Sequence, residues 1–475
     1  MMTKQRKPNI LVIYTDQQRY DTLGVNGNRK IRTPNLDRLA QQGTVFSNSF
    51  VTTPLCTPSR IALFTGKYAH SMQRFDNSSI LPSNQMNFAV ELRNAGYRTG
   101  LAGKDHCFGN QKDKAFDFVK EAHHTGFPFP SDDVEKQISK YRQPVMQMPF
   151  ADDPFPLEEN ITGRVFSYGK DFITESTQQA GDDHPFFLWL SIPDPHPPYM
   201  VCEPYASMYN DVEINIPVYP DEEMYNKPYK QQLVREWDAY GRDYPTPEKL
   251  RKLIRIYWGM ISYIDDEIGK LMQFLEERGL AEDTIVVFTS DHGDYLGDHR
   301  YIRKGPHLYD SLIRVPLIIR GPGVKQGRTK AMVNNIDLFP TLMKLAGLEL
   351  PEALHGLSYA ELLTGDSKEH RDCIFMEYGM PGKPLQPGSL TNAQYEALKA
   401  DRHHHLCPEI IQGLTKGIRT DRWKLCVNPG DTDELYDLEA DPGELYNLAK
   451  DPNYADVRTE LRSRLVDWLI ETQYT

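Results

Sequence analysis

The chain has 475 residues and a mass of 54.7 kDa, with 39% apolar and 25% charged residues, 34 prolines and 32 glycines. This length fits two or three domains, or one large domain with an appendage, and the composition excludes a disordered chain; no apolar run reaches the eighteen residues a membrane span needs. A net charge of −12 excludes a general nucleic-acid binder, and six cysteines without a CxxC pair make neither a disulfide framework nor a zinc cluster.

The N-terminal MMTKQRKPNILVIYTD carries basic residues, but its apolar run from Ile10 to Tyr14 is too short for a signal-peptide core. The expected location is cytoplasmic, or periplasmic if a leader was removed. Residues 9–15 form a short apolar run without alternation that ends at Asp16-Gln17. Such a run predicts a strand buried on both faces of a mostly parallel sheet. A helix is predicted over 33–43, with Pro34 at its first turn and Gly43 as its stop. In PLCTPSRIALFTG, residues 54–66, Cys56 stands at the predicted start of another helix. A buried thiol is one reading of Cys56; a nucleophile or its precursor is the other, since a helix N-terminus suits an anion.

Gly103-Lys104-Asp105-His106 follows an apolar stretch, and alternation by two sends Lys104 and His106 off the same strand end in one direction. Residues 110–185 and 200–247 are rich in proline, aromatics and acids, with weak periodicity, and read as long insertions over the scaffold. Between them residues 186–192 repeat the buried-strand pattern and lead to Asp194 and to His196 in PDPHPPY, where the prolines stiffen the loop around a candidate general acid. A long helix is predicted over 248–278. Its Asp265-Asp266-Glu267 admits a metal site, but a solvated helix face is the preferred reading. Residues 284–290 form the third buried strand, ending at Asp291-His292, and Lys304 follows in the loop HRYIRKGPHLYD.

Around residue 366 the texture changes to short strand-like runs at 374–378, 414–419 and 423–427 with a final amphipathic helix. The expected organisation is a catalytic unit over 1–365 and a smaller C-terminal α+β unit over 366–475. The run His403-His404-His405 reads as a polar loop in preference to a second metal site. The fold class is α/β, a large, mixed, mostly parallel central sheet flanked by helices. In such sheets ligands sit beyond the carboxyl ends of the strands, so the polar clusters at three strand ends point to one site. Asp16 and Gln17 with Asp291 and His292 offer two charged and two neutral ligands to one divalent cation; an oxygen-rich set suits calcium, magnesium or manganese, and the imidazole makes manganese or zinc more acceptable than a pure oxygen set would. Lys104 and Lys304 beside it make a clamp for a tetrahedral anion.

CTPSR, together with NILVIYTDQQRYDTLG, LRNAGYRTGLAGKDH, PFFLWLSIPDPHPPY, DTIVVFTSDHGDYLGDH and ELYDLEADPGELYNLA in that order, resembles the formylglycine-dependent sulfatases of the alkaline phosphatase superfamily. The resemblance implies the superfamily fold and the oxidation of Cys56 to formylglycine by a maturation enzyme that reads Pro58 and Arg60. It implies a divalent metal on Asp16, Gln17, residue 56, Asp291 and His292, and attack on sulfur by one hydroxyl of the aldehyde hydrate. It further implies that Arg60 steadies the hydrate, Lys104 and Lys304 neutralise sulfate oxygens, His106 assists the hydroxyls and His196 protonates the leaving alcohol. The expected activity is hydrolysis of a sulfate ester on a sulfated carbohydrate; a phosphonate monoester or phosphodiester hydrolase, and a noncatalytic glycan binder with an unmodified Cys56, are the alternatives. The chain departs from the commoner family pattern in having Gln17 where many members have aspartate, His292 in place of asparagine, and GKDH in place of GKWH. Asp105 is left with two readings, facing away from the site or reaching substrate.

Overall fold

The structure, a computed structural model, describes residues 7–145, 150–179, 184–217, 219–240, 245–401 and 406–473. His403-His404-His405 lie outside the described residues. The strands of the large sheet are β1 (Asn9–Thr15), β2 (Thr44–Phe50), β3 (Arg98–Gly103), β4 (Phe118–Glu121), β5 (Phe186–Ile192), β6 (Thr284–Ser290), β7 (Leu317–Arg320) and β8 (Gly327–Asn334). Their spatial order is β4-β3-β5-β1-β6-β7-β2-β8. From β4 to β6 all neighbours are parallel; β7 is antiparallel to both β6 and β2, and β2 pairs in parallel with β8.

The central strands lack alternation because both faces are covered. Leu11 and Ile13 of β1 join one core with the helices Ile161–Gln179 and Pro247–Glu277, while Ile10, Val12 and Tyr14 join a second core with the helices Cys56–Thr65 and Leu338–Leu345. β5 divides in the same way, Leu188 and Leu190 to the first side and Phe187 and Trp189 to the second. Among the described residues no helix is long and apolar enough to cross a membrane.

Two expectations are corrected here. The stretch 110–185 is not only insertion: β4 extends the sheet, and the helix Ile161–Gln179 buries Val165, Phe166, Phe172 and Ile173 on it. Gly163 and Gly169 interrupt its apolar pattern for a steric reason, since a Cβ at Gly163 would lie 2.2 Å from the Leu157 carbonyl and one at Gly169 would lie 2.9 Å from Leu190. Asp265 is neither solvated nor a metal ligand. It is fully buried, and its carboxylate accepts from the Asn35 and Leu36 amides at 3.0 and 2.7 Å, capping the helix Pro34–Gln41 from a neighbouring element.

A second, four-stranded antiparallel sheet has the order β12-β11-β10-β9, from β9 (Ile374–Tyr378), β10 (Thr415–Arg419), β11 (Trp423–Val427) and β12 (Glu434–Asp437). The helix Ala455–Thr472 packs on it through Leu461, Leu465 and Trp468 against Ile418 and Leu425. β9 is sewn to the large sheet: the Glu377 amide donates to the Thr52 carbonyl at 2.7 Å, and Met376 and Tyr378 share a core with Phe50, Val51 and Leu55. The Glu377 side chain accepts from Lys416 and lies 3.1 Å from His70 Nδ1, which gives His70 a structural partner. Burial raises the Glu377 carboxyl, but Lys416 and His70 outweigh it and hold it down at about 2.

Between the ordinary glutamate range and that value the folded chain binds fewer protons than the unfolded chain. The stabilisation is therefore complete above the ordinary range and is lost as the pH falls toward 2. Glu377→Gln is expected to show a weaker acid dependence than the wild type, with ~3 kcal/mol of pH-dependent stability removed. Urea unfolding of both proteins through that pH window checks it.

Candidate active site

The four adjacent strands β3, β5, β1 and β6 end side by side, and the parallel register brings Thr15 of β1 opposite Ile192 of β5 and Ser290 of β6. The residues that follow, Asp16-Gln17 and Asp291-His292, therefore emerge together. Lys104 follows β3, whose last residue, Gly103, has φ +104°. A Cβ there would lie 1.9 Å from the Ser191 carbonyl, so only glycine lets β3 approach β5 at this point. The helix Cys56–Thr65 is buried along its whole length and points its first residue at the strand ends. Its Ser59 hydroxyl donates to the Asp291 carbonyl at 2.7 Å, and Thr57 donates to the His106 carbonyl at 2.9 Å.

Asp16 and Asp291 are fully buried, and a single cation joins them. Arg60 donates to Asp291 through Nε and Nη2 at 3.1 and 3.0 Å and to Asp16 through Nη2 at 3.0 Å; Nη1 donates to the Ser191 hydroxyl at 2.8 Å and the Lys104 carbonyl at 3.4 Å. These contacts occupy the five N–H groups of the guanidinium. Lys104 donates to Asp16 as well. Burial and the Cys56 sulfur raise the Asp16 carboxyl, yet Lys104, His196 and Arg60 prevail and hold it well below the usual carboxylate range. Burial and the neighbouring Asp16 push Asp291 up.

Cys56 Sγ sits amid these groups, 3.0 Å from Lys304 Nζ, 3.2 Å from His292 Nε2 and 3.7 Å from Asp16 Oδ1. Burial would raise the thiol, but Lys104, Lys304 and His292 bring it well below its ordinary value, so the position favours an anion. Lys304 also donates to Gln17 Oε1 at 2.9 Å. His106 and His196 are half-buried beside Cys56; burial with Lys104 lowers the first to about 4, and burial with Lys304 lowers the second to about 4. The contact of His196 Nδ1 with the Pro197 carbonyl at 2.6 Å places the proton on Nδ1 and leaves Nε2 for the site.

The ligand atoms of Asp16, Cys56, Asp291 and His292 all lie within 4.8 Å of one another. His292 Nδ1 lies 2.8 Å from the Gly293 carbonyl, which fixes the tautomer and turns the Nε2 lone pair inward. Two buried carboxylates, one oriented imidazole and the Gln17 amide oxygen make a donor set that fits a divalent cation.

The structure thus brings together Asp16, Gln17, Cys56, Arg60, Lys104, His106, His196, Asp291, His292 and Lys304. Asp105 faces away from the site, its carboxylate accepting from the Phe108 and Gly109 amides at 2.7 and 3.1 Å to close the turn after His106. Arg19 and His299, basic residues close to the motifs, are spent on structure: Arg19 pairs with Asp21 and Asp298, and His299 contacts Glu223 at 2.5 Å and stacks on Tyr309. Two residues without a sequence signal of their own enter the site. His124 stacks on His196 with ring centroids 4.2 Å apart, and Asp294 accepts from Gln17 Nε2 at 2.5 Å.

A mixed eight-stranded sheet gathers a buried, anion-favouring centre at its strand ends, where open α/β sheets bind their ligands. Residues 8–348 match the sulfatase family and residues 392–471 the C-terminal region of N-sulphoglucosamine sulphohydrolase, so the chain belongs to the sulfatase family and is a sulfuric ester hydrolase. It is 29% identical to a choline-sulfatase of Rhizobium meliloti, over 94% of this chain and 83% of that one. It is 26% identical to an N-acetylglucosamine-6-O-sulfatase of Bacteroides thetaiotaomicron, over 97% and 86%. Its fold is similar to that of a phosphonate monoester hydrolase from Silicibacter pomeroyi, with a TM-score of 0.80 at 25% identity over 98% and 96% of the two chains.

Removing Arg60 leaves two buried carboxylates facing each other. Arg60→Met is expected to cost about 3–5 kcal/mol in EDTA and clearly less with a saturating divalent cation, which restores positive charge between the same carboxylates. Urea unfolding under both conditions checks it.

Proposed function

We propose that the protein hydrolyses a sulfate ester on a sulfated carbohydrate, with residue 56, matured from cysteine to formylglycine, as its nucleophile. The observation that carries this reading is the position of Cys56: at a buried helix N-terminus, 3.0 Å from Lys304 and 3.2 Å from His292, where an anion is favoured and water has little access. A maturation enzyme must then act on residue 56 before or during folding, because the folded chain buries it. The match of residues 392–471 and the N-acetylglucosamine-6-O-sulfatase relative support a carbohydrate as the alcohol. The 366–475 unit is read as a subdomain that braces the catalytic unit through β9.

The aldehyde hydrate would offer two hydroxyls on one carbon, and a divalent cation, with calcium the first choice, would supply Lewis-acid charge at the reacting centre. Asp16, Gln17, Asp291 and His292 would hold the cation. Lys304, 3.0 Å from residue 56, and Lys104, held on Asp16, would neutralise sulfate oxygens, strengthened by their exclusion from water. His106 would take up a proton at residue 56. His196, with its Nδ1–H held by Pro197, has Nε2 available to deliver a proton to the leaving alcohol oxygen. In the free protein burial and Lys304 keep His196 neutral; an anionic ester beside it favours the charged form. Arg60 is here a positioning residue, with its donors committed to Asp16, Asp291, Ser191 and the Lys104 carbonyl.

The test is mass spectrometry of the Cys56 peptide from protein made with a formylglycine-generating system, with sulfate release measured on defined sulfated saccharides. Conversion with release is the expected result; an unmodified thiol under those conditions overturns the nucleophile. Faster turnover of aryl phosphonate than of aryl sulfate esters would transfer the activity to phosphonate esters. His196→Ala is expected to slow saccharide sulfate hydrolysis by about 10²–10⁴-fold and to affect an activated aryl sulfate far less, because the latter needs no proton on departure.

A further inference from the structure

Gln17 stands between a group that only accepts hydrogen bonds and one that only donates them. Its Nε2 donates to Asp294 Oδ2 at 2.5 Å, and its Oε1 accepts from Lys304 Nζ at 2.9 Å. Its backbone is held too: the amide donates to Asp291 Oδ1 at 2.9 Å, and the carbonyl accepts from the Tyr257 hydroxyl at 2.6 Å, at φ +68°. Asp294 is fully buried and takes two further donors, the Tyr199 hydroxyl on Oδ2 at 2.6 Å and the Leu296 amide on Oδ1 at 2.8 Å. A reversed Gln17 amide would set its NH2 against the Lys304 ammonium and its oxygen against the Asp294 carboxylate. A carboxylate at 17 would face Asp294 oxygen to oxygen without a proton between them.

We propose that Asp294 is a positioning residue that fixes the Gln17 amide with its oxygen toward Lys304 and the Asp16–Asp291 pair, and that residues 17 and 294 act as one unit carrying a single negative charge. In this chain that charge lies on Asp294, behind the ligand set. The neutral ligand at 17 and the buried acid at 294 are then two sides of one substitution. An asparagine at 294 cannot replace the acid, since its NH2 would meet either the Gln17 NH2 or the Leu296 amide N–H. With glutamate at 17, however, the same NH2 finds an acceptor. The consequence for metal binding rests on the cation site proposed above; the pairing itself rests on the hydrogen bonds.

The experiment is a four-protein cycle of wild type, Gln17→Glu, Asp294→Asn and the double variant, read as thermal unfolding midpoints in EDTA and as calcium affinity by titration calorimetry. Each single variant is expected to unfold at lower temperature and to bind calcium about tenfold more weakly or worse. The double variant is expected to recover the midpoint and to bind calcium at least as tightly as wild type. An Asp294→Asn protein that matches wild type, or a double variant in which the two losses add, overturns the proposal. Recovery in EDTA while wild type binds neither calcium nor manganese sustains the Gln17–Asp294 pairing and overturns the cation site instead.

Discussion

One guanidinium carries the charge balance of this candidate active site. Parallel pairing of β1 with β6 delivers Asp16 and Asp291 to neighbouring strand ends, where both are shut off from water, and two bare carboxylates so placed repel strongly. Arg60 answers both, and because it projects from the same helix that begins with Cys56, the charge pairing also fixes where Cys56 stands. The fork geometry matters as much as the charge: Nε and Nη2 reach Asp291, Nη2 reaches Asp16, and Nη1 reaches β5 through Ser191. Lysine at this position would supply a charge without that three-way register.

Around this pairing the cations are arranged in depth. Lys104 comes from the end of β3 and Lys304 from the loop beyond β6, so the two cations reach the anion-favouring region from strands on either side of the β5–β1 pair. The second sheet contributes stiffness. Glu377 of β9 binds the loop that leads into Cys56 through its amide and, through its carboxylate, His70 of the short helix Ala69–Met72 that follows the Cys56–Thr65 helix. A strand of a separate sheet thereby helps hold the helix that begins at Cys56.

Much of the scaffold was legible because burial on both faces writes an unmistakable pattern. The runs at 9–15, 186–192 and 284–290 match β1, β5 and β6 residue for residue, as do those at 374–378 and 423–427 in the second sheet. What failed to read was the helix Ile161–Gln179, where close approach demands glycine and glycine dilutes the periodicity that marks a helix. Asp265 misled for a related reason: an acid among acids on a helix resembles a solvated face until a neighbouring helix end is placed on top of it. Asp294 and His124 were hidden because their roles depend on contacts with Gln17 and His196, far away along the chain.

The order of motifs along the chain determined by itself that strand-end acids, a helix-start cysteine and two lysines would converge, because a parallel sheet collects its carboxyl ends on one edge. It also carried the family resemblance, which is a property of local segments. Only the tertiary structure decided how the charges are shared: that Arg60 is consumed by the two carboxylates, that Asp105 turns away to close a loop, and that the Gln17 amide is pinned between Asp294 and Lys304. The contacts of Arg60 and Gln17 join residues tens to hundreds of positions apart, while that of Asp105 is local but depends on which way the loop turns. The hydrogen-bond partner of a buried polar group is set by what packs against it, and that is a consequence of the fold.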